Sequence, residues 1–281
     1  MSNVLVHAPP RNLAAQAQRG RARRSVTVCQ NAAARRGEDW LVEEAPVELR
    51  YNGESFAVMM VTPTDLEDFA CGFALSEGHV ACAGDIRGVT INEWLEGYVV
   101  DIEAAVDADA TSPRRLPARS GCGVCGSRQL EDVLRPTARV PEGPLLESGA
   151  LERALAQLTQ SQPLNAGTGA AHAAAWASRT GEIACVREDV GRHNALDKLL
   201  GALARDGADI RNGFVLVTSR ASYEMVVKTA RLGIGVLAAI SAPTALGVEL
   251  AHASNITLAG FVRPGRHVVY SHPQRLPGAC T

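Results

Sequence analysis

EIACVREDVGRHNALDKLLGALARDGADIRNGFVLVTSRASYEMVVKTARLGIGVLAAI, residues 182–240, reads as strand, helix, strand, helix, strand. Residues 182–186 are a short strand. Ala195, Leu196, Leu199, Leu200 and Leu203 then recur at helical spacing on one face. Residues 214–217 form a short apolar run of the kind buried on both sides. A helix through Met225, Val226 and Ala230 follows, and then a further apolar run at 236–240. Beyond it a helix opens near Pro243, where the missing N–H costs nothing. Residues 256–261 and 267–270 are strands flanking Pro264-Gly265. Short apolar strands interleaved with helices predict an α/β layer domain on a parallel or mixed sheet, placed here at residues 136–281.

Upstream the pattern is richer in strands. Residues 47–51 and 56–61 flank Asn52-Gly53, a strong hairpin signal. Leu66, Phe69, Ala70, Phe73 and Ala74 repeat at helical spacing between a Thr64 cap and Gly78. Residues 89–91 and 98–102 suggest another strand pair about Glu96-Gly97. This makes 38–110 a smaller β-rich module. Residues 1–37 carry seven arginines and no acid, and are read as a mobile basic arm. Residues 111–135 hold a Pro- and Arg-rich stretch, a Cys-x-x-Cys loop and a helix.

Composition excludes several functions. Net charge is −2 and aromatics are 4%, so neither a basic surface nor a stacking platform for nucleic acid is present. The most apolar stretch, 232–246, is interrupted by Ser241, Pro243 and Thr244 and falls short of the ~20 apolar residues a membrane helix needs. No secretory signal pattern opens the chain, so a cytoplasmic protein with no membrane contact is expected. Seven scattered cysteines are no disulfide framework.

Gly121-Cys-Gly-Val-Cys-Gly126 is the sharpest chemical signal. Glycines leave Cys122 and Cys125 open, and Arg114, Arg115, Arg119 and Arg128 lie nearby. Positive charge and a helix start both favour thiolate, the nucleophilic form. Structural zinc would need two further ligands, and no second Cys-x-x-Cys exists; no metal site is assigned. Dithiol–disulfide chemistry and sulfur transfer both fit the pair.

Other turns suit anions. Residues 188–198, EDVGRHNALDK, put Gly191, Arg192 and His193 at a helix mouth. His193 with Asp197 is there an ordinary i,i+4 pair. Thr218-Ser-Arg-Ala-Ser-Tyr-Glu224 repeats the theme with Ser219 and Arg220, and Ser222 is read as an N-cap. Phe261, Val262, Arg263, Pro264, Gly265 and Arg266 offer a ring and two arginines about a turn. Gly167-Thr-Gly-Ala-Ala-His172 is a tightly packed loop ending in His172; it lacks the His-x-Glu of zinc deaminases.

Taken together these stretches resemble the FdhD family, the formate dehydrogenase accessory sulfurtransferases. The likeness runs in order from Trp40 to Leu276. It is carried by Pro46-Val-Glu-Leu-Arg-Tyr-Asn-Gly53, Phe73-Ala-Leu-Ser-Glu-Gly78, Gly121-Cys-Gly-Val-Cys-Gly126, Glu188-Asp-Val-Gly-Arg-His193 with Ala195-Leu-Asp-Lys198, Ser219-Arg-Ala-Ser-Tyr-Glu-Met225 and Gly260-Phe-Val-Arg-Pro-Gly-Arg266. The resemblance implies a fold related to cytidine deaminases and a homodimer. It implies sulfur taken from a cysteine desulfurase and held as a persulfide on Cys122, with Cys125 assisting. The acceptor it implies is the molybdenum bis(molybdopterin guanine dinucleotide) cofactor of a formate dehydrogenase. Its contact with that cofactor falls on residues 261–266, and Arg192, His193, Ser219, Arg220 and His172 are expected to line the same site. Rival readings are a dithiol–disulfide oxidoreductase and a chaperone that only binds the cofactor.

Overall fold

A computed structural model describes residues 20–105 and 139–277. β1 (Arg21–Gln30) and β2 (Ala33–Val42) form an antiparallel ribbon. β3 (Ala45–Tyr51), β4 (Glu54–Val61), β5 (Ile86–Trp94) and β6 (Gly97–Ala104) make a four-stranded sheet ordered β4-β3-β6-β5, in which β3 and β6 are parallel. Helix α1 (Leu66–Glu77) lies between β4 and β5 in the chain. There follow α2 (Ala150–Gln160), α3 (Pro163–Thr168), β7 (His172–Ser178), β8 (Ile183–Asp189), α4 (Arg192–Arg205), β9 (Gly213–Val217), α5 (Tyr223–Arg231), β10 (Val236–Ala239), α6 (Ala245–Ala253), β11 (Thr257–Arg263) and β12 (Arg266–Ser271). β7 to β12 build one mixed sheet ordered β12-β11-β10-β9-β7-β8, with β9, β10 and β11 parallel at its heart.

The central strands are apolar throughout because both faces are covered. On β9, Val215 and Val217 join Leu196, Leu199 and Leu200 of α4 and Met225 and Val226 of α5. Phe214 and Leu216 point the other way, onto Leu151, Ala154 and Leu158 of α2. Each fully buried leucine contributes about 1.5–3 kcal/mol relative to exposure.

α1 lies between the two sheets. Leu66, Phe69 and Phe73 pack on Val47, Leu49, Val100 and Ile102 of the four-stranded sheet, while Gly72 meets α4. A Cβ on Gly72 would fall 1.7 Å from the Asp197 carbonyl oxygen, and one on Gly201 would fall 1.8 Å from that of Asp68. The helices therefore touch backbone to backbone, which only glycine allows.

Charges are buried at this junction. Lys198 and Asp189, both fully buried, pair at 2.7 Å, and Lys198 also donates to the Thr62 carbonyl. Lys228 bonds Asp197, Ser76 and Glu77 at 2.8–2.9 Å. Burial alone would lower the Lys228 pKa, but Asp197 and Glu77 outweigh it and raise it to about 12. Asp68 takes Arg187 at 2.7 Å and also pairs with Arg205.

Several expectations need correction. The basic stretch, read as a mobile arm to residue 37, forms most of the β1–β2 ribbon from residue 21. Its side chains are largely exposed, and Arg21 stacks 4.6 Å from the Trp40 ring. The loop expected at 167–172 is the end of α3, capped by left-handed Gly169 (φ 66°), and the start of β7. The cap of α1 is Asp65 rather than Thr64. The Cys-x-x-Cys loop and the helix after it lie outside the described residues.

Gly201→Ala should cost about 3 kcal/mol or more, because the added methyl meets backbone that cannot rotate away. Urea unfolding measures this; an unchanged midpoint would show that α1 and α4 can part without loss.

Candidate functional site

Strand direction collects the polar turns at one edge. β9, β10 and β11 are parallel, so their carboxyl ends meet there, where ligands of open α/β sheets bind. The antiparallel neighbours bring the start of β7 and the end of β8 to the same edge, with His172 opposite Asp189. Thr218, just past β9, accepts from the Ala173 N–H through Oγ1 at 2.9 Å. The turn after β9 bridges to that after β10 through Ala221 and Pro243, and Phe261 N–H donates to the Ser241 carbonyl at 3.1 Å.

Two helix starts face this edge. Gly191 precedes α4 and donates its N–H to Asp189 Oδ1 at 2.7 Å. A side chain there would strike Asn194 Nδ2 at 2.7 Å. His193, in the first turn, is buried and holds Glu224 from the first turn of α5, Nε2 to Oε2 at 2.5 Å. The i,i+4 partner expected for His193 is thus replaced: Asp197 belongs to Lys228. Ser222 sits at the N-cap of α5, yet among the described residues its buried hydroxyl makes no capping bond and has no partner. Arg192 Nε is likewise buried and, among the described residues, unpartnered. These orphaned donors, the two helix dipoles and the nearby arginines suit an anion.

Phe261 is backbone-strained. It holds φ 52° at a bulge in the β11–β12 pairing and leaves its ring 40% exposed. A bulky residue in the left-handed region costs of order 1–3 kcal/mol, and such strain gathers at ligand sites. Arg263 donates to the Ile240 carbonyl at 2.5 Å and faces Arg266 across the hairpin end. Ser219 Oγ bonds the Arg220 carbonyl, and Arg220 is exposed. Val262 is buried in the core, so only its backbone can meet a ligand.

The predicted residues outside the Cys-x-x-Cys pair thus gather on one edge of the sheet. Arg263 and Arg266 face each other at the base of the Pro264-Gly265 turn. Cys122 and Cys125 lie outside the described residues. Of the remaining cysteines described, Cys71 and Cys185 are pushed up to about 11 by burial and are held as thiols; Cys29 and Cys82 are exposed. Glu224 was missed as a site residue because a carboxylate in a first helical turn reads as a dipole partner.

The match to known proteins runs over most of the chain: the FdhD/NarQ family model covers residues 42–277. The chain belongs to the FdhD/NarQ family. A relative from Cupriavidus necator, named sulfur carrier protein FdhD, is 55% identical over 250 residues, 86% of this chain and 87% of its own. A protein of the same name from Xanthomonas euvesicatoria is 50% identical over 95% of this chain and 93% of its own. A crystal structure from Desulfotalea psychrophila, described as that of a putative formate dehydrogenase accessory protein, superposes with a TM-score of 0.72 at 26% identity, covering 91% of this chain and 99% of that one. Among the described residues, no helix is long and apolar enough to cross a membrane.

His172 is held below its ordinary pKa of 6.5 by burial, and then by the Arg192 charge. The unfolded chain therefore binds a proton that the folded chain refuses, so stability falls as pH drops through that range. His172→Gln removes this term. Urea titrations from about pH 7 to 5 should show a shallower loss for the variant than for the natural chain; equal slopes would mean that His172 protonates freely in the fold.

Proposed function

We propose that this chain is a sulfurtransferase that carries sulfur as a persulfide on Cys122. It takes the sulfur from a cysteine desulfurase and gives it to the molybdenum bis(molybdopterin guanine dinucleotide) of a formate dehydrogenase. Family membership carries the reading: relatives named as sulfur carriers match 86–95% of the chain, across a span that includes the Cys-x-x-Cys loop. In the first step Cys122 thiolate attacks the terminal sulfur of the donor persulfide. The donor's S–S bond breaks, and its cysteine leaves as thiolate. In the second, that terminal sulfur passes to the metal centre and Cys122 returns as thiolate. The sulfur moves as a neutral atom, so becoming a sulfide ligand takes two electrons from the metal. The protein works in the cytoplasm as a homodimer, with Cys125 as assistant or relay.

The carboxyl edge of the sheet supports the acceptor. Two guanine dinucleotides bring four phosphates as substrate. Arg192, Arg220 and the Arg263–Arg266 pair stand at three turns of that edge, with two helix starts among them. Phosphates are recognised by such guanidinium forks and open N–H groups. The exposed Phe261 ring offers a face for stacking. His172, neutral near pH 7, His193 and Ser219 line the same edge.

Incubation with a cysteine desulfurase and cysteine should add about 32 Da per sulfur atom to the Cys122 peptide by mass spectrometry, and Cys122→Ala should abolish the addition. An internal disulfide alone, with no sulfur added, would turn the reading to dithiol–disulfide chemistry. Formate dehydrogenase activation unaffected by Cys122→Ala and by Cys125→Ala would leave only cofactor binding.

The double substitution Arg263→Ala/Arg266→Ala should weaken guanosine diphosphate binding by about tenfold or more in calorimetry while persulfide formation continues. Unaltered affinity would remove these arginines from the acceptor site.

A further inference from the structure

At the opposite edge of the six-stranded sheet, where β11 begins and β12 ends, Arg275 is only 5% exposed. Its guanidinium donates to Thr257 Oγ1 at 3.0 Å and to Asn255 Oδ1 at 2.9 Å. Both acceptors are neutral, and among the described residues Arg275 forms no ion pair. Glu142 acts on it only through the field. A buried arginine is almost never left without an acid, because desolvating an uncompensated charge is strongly unfavourable. Of its five N–H donors, two are used by the bonds just given.

The surroundings hold this guanidinium in place. Asn255 Nδ2 donates to the Val140 carbonyl at 2.9 Å, and Thr257 Oγ1 donates to the His272 carbonyl at 2.7 Å. Asn255 (φ 59°) and His272 (φ 47°) both hold left-handed backbone. A side chain at Gly143 would come within 3.2 Å of Arg275 Nε, so glycine there keeps the guanidinium uncrowded. Beside it opens a pocket of about 680 Å³, lined by Arg139, Glu142, Leu145, His272, Gln274 and Arg275. Two arginines against one glutamate leave the lining net positive.

We propose that this pocket binds a small oxyanion, a phosphate or a carboxylate group, through the guanidinium of Arg275. The anion supplies the charge that the fold withholds from Arg275 and takes up its remaining donors in a forked pair of bonds. None of the residues named for sulfur transfer lines this pocket, so it is a second anion site on the far side of the sheet. Its occupancy stabilises the β11–β12 end of the fold by mass action.

The test follows the Arg275 Nε–H signal by NMR in the ¹⁵N-labelled full-length chain. Sodium phosphate or sodium acetate is titrated against sodium chloride at matched ionic strength. A saturable shift with phosphate or with acetate, absent with chloride, is expected; the tighter of the two names the class of anion. Gln274→Glu places a competing carboxylate at the exposed rim, and it should weaken that binding by about tenfold or more without disturbing the packed guanidinium. The response should persist in Arg263→Ala/Arg266→Ala, which separates this pocket from the proposed cofactor edge. No saturable shift with either anion, a shift equal to that in chloride, or unchanged affinity in Gln274→Glu would each overturn the proposal.

Discussion

The backbone contact of α1 with α4 is the constraint on which the rest of the molecule depends. Gly72 and Gly201 let the two helices meet with no side chain between them. That contact sets how the four-stranded sheet, carried on the outer face of α1, stands against the α/β layers. It also brings acids and bases from separate elements into a dry interface. Arg205 of α4 pairs with Glu67 and Asp68 of α1 across it, and Ser76 of α1 donates to Asp197 of α4 at 2.6 Å. Buried pairs of this kind add little net stability, since desolvation offsets attraction. Their effect here is positional: a slide of one helix would leave a charge without its partner.

The same interface steers the candidate site. α4 starts beside Asp189, and Asp189 is gripped from both sides. It accepts from Gly191 N–H and Asn194 at the helix start, from Lys198 one and a half turns later, and from Thr62 N–H of the smaller module. The first turn of α4 is thereby pinned to the end of β8 and to the segment after β4. Arg192 and His193 follow in that turn, and His193 ties α4 to α5 through Glu224. Two helix dipoles thus converge on the edge where β9, β10 and β11 end. The strained Phe261 and the arginine hairpin approach from the third side.

Much of this was legible in advance. Residues 214–217 and 236–240 are apolar without alternation, as strands covered on both faces must be, and they became β9 and β10. Asn52-Gly53 made its hairpin, and Gly78 closed α1 in the left-handed conformation. β7 was invisible for a physical reason: His172-Ala-Ala-Ala-Trp-Ala-Ser178 is alanine-rich, and alanine signals a helix more readily than a strand. It is extended because β8 and β9 flank it and α2 needs small residues beneath. The β1–β2 ribbon was hidden by its arginines, which offer no core face to read. Its order comes from a continuous backbone ladder and its anchorage from contacts at the base, such as Glu43 N–H to the Gly20 carbonyl.

By itself the sequence determined most of the order of helices and strands, the layered class, the family, and the residue types that could meet an anion. Those follow from periodicity, turn chemistry and motif, which are local properties of the chain. Only the tertiary structure decided which charges neutralise one another. His193 chose Glu224, thirty-one positions away, over Asp197 four positions on, and Asp197 was left for Lys228. Arg275 was left with no acid among the described residues. Partner choice in a desolvated interior depends on distances across packed elements, and no local stretch of chain carries those distances.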